Sequence, residues 1–189
     1  MYIIGLAGKA GTGKDTIGGL ISSLPGWHRL SFADPLRKML VAGGFVTDEQ
    51  LGDRKLKETP HPLHGASPRR LMQTLGTEWG RNMIHPCVWA RLLDERLERL
   101  ADSGAQGVVV TDVRFEDEAA LIRDAGGRVV HVQRPDALRP ANAEHVSEKG
   151  IRKRYGDITL FNDGKLEDLP KKLTVLIFEI TGDIEWTFE

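Results

Sequence analysis

Gly8-Lys9-Ala10-Gly11-Thr12-Gly13-Lys14-Asp15-Thr16, the string GKAGTGKDT, follows an apolar run from Tyr2 to Leu6 and opens a segment of helical character. Strand, glycine-rich loop and helix in that order are the layout of a phosphate-binding loop. Such a loop turns tightly and brings backbone N–H groups against phosphate oxygens with no side chain between them. The helix that follows aims the positive end of its dipole at the same anion. Gly8, Lys9, Gly11, Thr12 and Gly13 are therefore the expected cradle, and Lys14 is spaced to reach the β- and γ-phosphates of a nucleoside triphosphate. In the general pattern G-x-x-x-x-G-K, the next residue is Ser or Thr and supplies a hydroxyl ligand to Mg²⁺. Asp15 stands there instead, so the metal ligand is either its carboxylate or Thr16, one residue on.

Outward from the loop, strands and helices are expected to alternate. A helix from about Lys14 to Leu24 is stopped by Pro25-Gly26, and a short strand is expected at Arg29 to Phe32. Asp34-Pro35 reads as an N-cap with proline at the first helical position, leading to about Val41 and closed by Gly43-Gly44. Gly52 to Gly65, containing Pro60-His61-Pro62, reads as an irregular connection, mobile or folded over a substrate. Ser67-Pro68 starts a helix to about Trp79. Another, from Cys87 to about Ala101, carries Val88, Leu92, Leu93, Leu97 and Leu100 at helical spacing.

The run Gly107 to Val110, ending in Thr111-Asp112, has the continuous apolar character of a strand buried on both faces of a parallel sheet. A helix from about Glu116 to Ala125, closed by Gly126-Gly127, precedes a strand at Arg128 to Gln133. Arg134 to Tyr155 shows little apolar periodicity and carries Arg152-Lys153-Arg154, the character of a movable flap. A last strand at Ile158 to Phe161, a turn at Asn162-Asp163-Gly164 and a helix from Leu166 to about Ile180 complete the chain. The alternation predicts a doubly wound α/β fold with its ligand beyond the carboxyl ends of the strands.

At 189 residues the chain suits one compact domain. A net charge of −1 provides no basic field of the kind that holds a nucleic-acid polymer. The single cysteine, Cys87, excludes an intrachain disulfide framework and suits a reducing compartment as a buried structural thiol. The chain enters its first strand with no signal core, and no segment is apolar enough to span a bilayer. The expectation is a soluble, cytoplasmic protein. The 6 histidines, among them His61, His64 and His145, lack the spacing of a zinc site.

A phosphate loop alone leaves hydrolase, switch and kinase open, and what converges on the γ-phosphate decides among them. Asp112, at the end of a buried strand, is placed like the acid that holds Mg²⁺ or its waters in P-loop NTPases, the alternative being a turn cap. Arg114 is expected to point into the same crevice. Phosphoryl transfer rests on positioning and charge neutralisation, so Lys14, Mg²⁺ and the set Arg69, Arg70, Arg81 and Arg114 together suggest a kinase. No nucleophilic side chain is required.

Four strings give a more specific reading: Gly8 to Thr16, Ser31 to Leu36 (SFADPL), Leu71 to Arg81 (LMQTLGTEWGR) and Val110 to Glu118 (VTDVRFEDE). With Asn162-Asp163-Gly164 and Leu166 to Leu169, they resemble the deoxynucleoside monophosphate kinases typified by tailed bacteriophages, and the resemblance spans most of the chain. It implies a P-loop NTPase fold of three layers, α/β/α, with a mostly parallel sheet, a helical acceptor-binding region over residues 34–103 and a lid over 134–155. It implies transfer of the γ-phosphate of ATP to a deoxynucleoside monophosphate, with Mg²⁺ as the required metal and Asp15-Thr16 as the family's own variant of the loop. Carried over by position, Arg81 and Arg114 are the candidates for clamping the acceptor phosphate, an exposed salt bridge being the alternative for each, and Asp34 faces the acceptor sugar or base, or else caps its helix. Gln73, Thr77 and Trp79 read or stack on the base, unless Trp79 belongs to the core, with Arg70 a further contact. Arg134, with Arg139 or the cluster Arg152 to Arg154, covers ATP, unless the cluster is a solvated basic loop, and Asn162 to Gly164 lie near adenine. Other small-metabolite kinases, such as dephospho-coenzyme A or phosphomevalonate kinase, and a slow ATP-hydrolysing switch are the competing readings. The base accepted stays open, and so does a homodimer.

Overall fold

The computed structural model of the chain describes residues 1–135, 145–183, 186 and 188. Two compact units emerge, one formed by Met1–Ser31 with Leu93–Glu189 and the other by Phe32–Leu92.

The first unit is built on five parallel strands in the order β2-β3-β1-β4-β5. They are β1 (Tyr2–Ala7), β2 (Trp27–Leu30), β3 (Gly107–Val113), β4 (Arg128–Gln133) and β5 (Ile158–Phe161). The most apolar strands take the middle: Ile3 to Ala7 and Val108 to Val110 are buried, as strands covered on both faces must be. Alternation then divides their side chains between two helical layers. Ile4, Leu6, Val109 and Val130 form one core with Ile17 and Ile21 of α1 (Lys14–Ile21) and Leu169, Leu173 and Ile177 of α7 (Leu169–Thr181). On the opposite face, α6 (Glu116–Asp124) lays Ile122 so closely over Gly5 that a Cβ there would sit 3.1 Å from Ile122 Cγ1. Each fully buried aliphatic side chain of this kind contributes about 1.5–3 kcal/mol. The outcome is the expected α/β/α architecture with a parallel sheet.

Successive strands leave β1 on both sides, β3 on one and β4 on the other. The connection leaving the carboxyl end of β1 is therefore at the topological switch point, and it is the glycine loop.

The second unit is helical. It contains α2 (Asp34–Ala42), α3 (Asp48–Gly52), α4 (Pro68–Gln73), a π-helical stretch Thr74–Ile84, and the start of α5 (Val88–Asp102). Leu40, Val46 and Leu51 make a small core against Val41, Leu71, Met72 and Leu75. The π stretch is held by Trp89. The Trp89 indole lies against it, donating from Nε1 to the Gly76 carbonyl at 2.7 Å, and comes so near Gly80 that a Cβ there would be 2.2 Å from Trp89 Cζ2.

Several boundaries depart from the sequence expectation. The second strand runs Trp27–Leu30, two residues earlier than expected, because Trp27 pairs with Gly107 and Leu30 with Val110. Asp34 is not the N-cap: Ala33 holds that place without a side-chain bond, and Asp34 joins the first turn. The helix begun at Ser67, whose hydroxyl caps the Arg70 N–H, does not end at Trp79 but widens and continues to Ile84. The Gly52–Gly65 connection includes a 3₁₀ turn at Leu56–Glu58, preceded by the unforeseen α3 with its Thr47–Gln50 capping box. The last helix starts with a 3₁₀ turn at Leu166–Asp168. Of the expected lid, residues 136–144, including Arg139, lie outside the described residues, while Val146–Glu148 form a 3₁₀ turn. Among the described residues no helix is long and apolar enough to cross a membrane.

Candidate active site

In the first unit the loop between β1 and α1 has the backbone that its glycines imply. Gly8 and Gly13 take φ of 147° and 93°, a region that residues with a side chain rarely enter. Neither has room for one: a Cβ on Gly8 would be 2.5 Å from the Val132 carbonyl oxygen, and one on Gly13 would be 2.4 Å from Asn162 Nδ2. The Lys14 ammonium crosses the loop and donates to the carbonyls of Gly8 and Lys9, each at 2.7 Å. Thr12 closes it further by donating from Oγ1 to Lys9 O at 2.9 Å. Burial, aided by the positive charge of Arg114, lowers the Lys14 pKa to about 8. Lys14 is thus charged below that value and ready to meet an anion.

Around the loop stand four groups from other elements. Asp112 of β3 accepts a hydrogen bond from the Ser31 hydroxyl at 2.6 Å. Arg114, just beyond β3, donates from Nη1 to Glu148 Oε1 at 2.7 Å and to Ser147 O at 3.2 Å. Burial works against the guanidinium's charge, yet Glu148 by charge and hydrogen bond holds its pKa above the ordinary value. Buried Glu118 secures the same bend in the chain, accepting from the N–H groups of Arg114 and Phe115 at 2.8 and 3.1 Å. Asn162, buried after β5, donates to Thr12 O at 2.9 Å.

Asp15 and Thr16 are exposed on the first turn of α1, and Asp15 lies 3.6 Å from Arg29 in a loose ion pair. The oxygen donors Asp15, Thr16 and Asp112 are of the type that a hard cation such as Mg²⁺ takes. The tight glycine turn and the charged Lys14 likewise fit a bound polyphosphate. Arg134 is exposed at the end of β4. The basic cluster is engaged locally: Arg154 pairs with Glu116 at 3.2 Å, the Arg152 N–H donates to Glu116 at 2.7 Å, and Lys153 donates to Thr159 at 2.6 Å. Gly164 packs on Asp168, whose carboxylate accepts from the Lys165 N–H at 3.0 Å.

The acceptor candidates lie in the second unit. Arg81 is 9% exposed, an uncommon burial for arginine, and donates from Nη1 to Pro86 O at 2.7 Å. The π stretch also carries Thr77 and Trp79, the latter exposed on one side and 6.3 Å from the Trp89 ring centroid on the other. Gln73 ends α4, Arg70 is exposed on it, and Arg69 is engaged by Glu58. Asp34 opens α2. Sequence reasoning did not single out Ser31, Glu118 or Glu148 as individual site residues. Ser31 and Glu118 fall within quoted strings, whereas Glu148 carries no local signal, since its partner is 34 positions away.

A parallel sheet with the glycine loop at its switch point defines the class: a P-loop protein of the α/β/α kinase fold. Dephospho-CoA kinase from Campylobacter jejuni superposes with a TM-score of 0.53 over 95% of this chain and 98% of its own, at 17% identity, a likeness of fold. The family model for deoxynucleotide monophosphate kinase matches residues 64–173. A protein of Acanthamoeba polyphaga mimivirus, named for that same kinase, is 32% identical over 186 residues, covering 89% of this chain and 92% of its own. The deoxynucleoside-5'-monophosphate kinase of Escherichia phage T5 is 27% identical, with coverage of 81% and 86%. The chain belongs to the deoxynucleotide monophosphate kinase family.

Proposed function

We propose that the protein transfers the γ-phosphoryl group of ATP to a deoxynucleoside monophosphate, producing the diphosphate and ADP. The observation that carries the reading is the glycine loop with Lys14 folded across it, in a chain of this family. Lys14 and the loop N–H groups hold the donor phosphates. Asp112, with Asp15 or Thr16, holds Mg²⁺, which when bound neutralises phosphate oxygens. Arg114 and Arg81 are each assigned to anionic charge on the acceptor phosphate, where a guanidinium fork orients as well as neutralises. Asp34, Arg70, Gln73, Thr77 and Trp79 recognise the acceptor nucleoside, and Arg134 and the neighbourhood of Gly164 attend ATP. Direct transfer needs no covalent intermediate on the protein.

Family membership favours this reading over a metabolite kinase of another kind or a slow switch. The test is ADP formation from Mg-ATP with dGMP, dTMP, dCMP, dAMP and the matching ribonucleotides supplied one at a time. Turnover that depends on a deoxynucleotide, and is lost in Lys14→Ala, is expected. Acceptor-independent ATP loss, or full turnover in Lys14→Ala, would overturn it.

A further inference from the structure

Asn162 lies 150 positions from Thr12 in sequence, yet its Nδ2 donates to the Thr12 carbonyl at 2.9 Å. The residue is 7% exposed, and its amide packs directly on the next residue of the loop, where a Cβ on Gly13 would come within 2.4 Å of Nδ2. Asn162 is itself fixed on three sides. Its own N–H donates to Gln133 O at 2.8 Å, tying it to the end of β4. On either side of it, Lys172 of α7 donates to Phe161 O at 2.8 Å and to Asp163 Oδ1 at 2.5 Å. The amide therefore reaches the loop from a braced position.

What it grips is one half of a peptide group. The Thr12 carbonyl and the Gly13 N–H belong to the same plane, and in a trans peptide they point to opposite sides. Holding the oxygen toward Asn162 turns the Gly13 N–H away from it. Glycine at position 13, with φ of 93°, has little intrinsic preference that would keep this plane from rotating. An external clamp supplies that preference.

We infer that Asn162 is a positioning residue of the phosphate loop: it locks the Thr12–Gly13 peptide so that the Gly13 N–H is presented to the polyphosphate of the donor. Its role is then exerted through the loop backbone and not through adenine, near which the family resemblance would place it. The inference rests on the donor reading of the loop.

Titration calorimetry separates these roles when ATP is compared with inorganic tripolyphosphate, which has phosphates and no base, in one Mg²⁺ buffer without acceptor. The variants are Asn162→Ala and Asn162→Leu, the second keeping the branched shape of the side chain with neither a donor nor a charge. Both are expected to bind ATP and tripolyphosphate about tenfold more weakly, by the same factor, the loss of roughly one well-formed hydrogen bond. Thermal unfolding without ligand should remain cooperative in Asn162→Leu, which decides the question should the alanine variant fail to fold. A weakening confined to ATP would overturn the inference and return Asn162 to the base. Unchanged affinity for both compounds would overturn it as well. Wild-type protein that bound neither compound would bring down the donor reading itself, an outcome visible before any substitution is made.

Discussion

Lys14 bonds to the carbonyls of its own loop while its pKa is lowered to about 8. An unfolded lysine titrates near 10.4, so between about pH 8 and 10 the unfolded chain binds more protons than the folded one. This group's contribution to stability therefore rises with pH across that window, and its full penalty applies below it. A bound polyphosphate acts in the opposite sense and raises the Lys14 pKa. Binding of ATP near pH 8.5 should accordingly take up protons, measured by calorimetry in two buffers of different ionisation enthalpy, and affinity should fall as pH rises beyond 8. Lys14→Met should abolish the uptake and reduce kcat/KM by about a hundredfold or more. Lys14 and the glycines were legible because the chemistry is local, packed into nine consecutive residues. Ser31 with Asp112 and Arg114 with Glu148 were not, because 81 and 34 positions separate the partners and only the sheet brings them together.

Among the elements, the π stretch Thr74–Ile84 is the one a 3.6-residue periodicity could not foresee. In the fold Gly76 offers its carbonyl to Trp89, and Gly80 leaves room for the indole against the backbone. Such widened turns recur at functional positions, and this one carries Thr77, Trp79 and Arg81. Gly80→Ala forces a methyl into the indole and should destabilise the protein by about 2–3 kcal/mol in urea unfolding, with Gly76→Ala costing less because its nearest atom, Leu36 Cδ1, is 3.1 Å away. The turn Val146–Glu148 is secured differently, by charge. Glu148→Gln leaves the guanidinium of Arg114 with a weaker partner and should cost about 2 kcal/mol, less than a fully buried pair because Arg114 retains some solvent. β4 and β5 fall at the expected residues, since short apolar runs define them, whereas β2 is set two residues early by its pairing with β3, and the start of α2 depended on which residue caps.

At the scale of the molecule, an ionic knot joins α6, β4 and the turn that leads into β5 in the sheet-bearing unit. Asp157 accepts from Arg123 of α6 at 3.0 and 2.8 Å, lies 3.0 Å from His131 Nε2 of β4, and accepts from the Arg154 N–H at 2.8 Å. Burial opposes its charge, but these donors, Arg123 first, hold its pKa down at about 2. A depressed carboxylate stabilises the fold above its unfolded pKa, near 4, and this contribution is lost as pH falls from 4 to 2. Asp157→Asn should be less stable by about 2 kcal/mol at pH 7, with the difference from wild type vanishing near pH 2, as followed by urea unfolding at each pH. The α/β class was legible from the alternation of apolar runs, but the order β2-β3-β1-β4-β5 was not, because pairing partners leave no mark on any single strand.

The division of the chain also bears on how such an enzyme changes over time. All five strands come from residues before Ser31 or after Leu93, and the helical stretch between them is left once and entered once. It is topologically a cassette, spliced into a framework that supplies every strand of the sheet. On the proposed assignment Gln73, Thr77 and Trp79 belong to that cassette and Arg114 to the framework, so remodelling the cassette should shift the choice of nucleobase while the glycine loop is left intact.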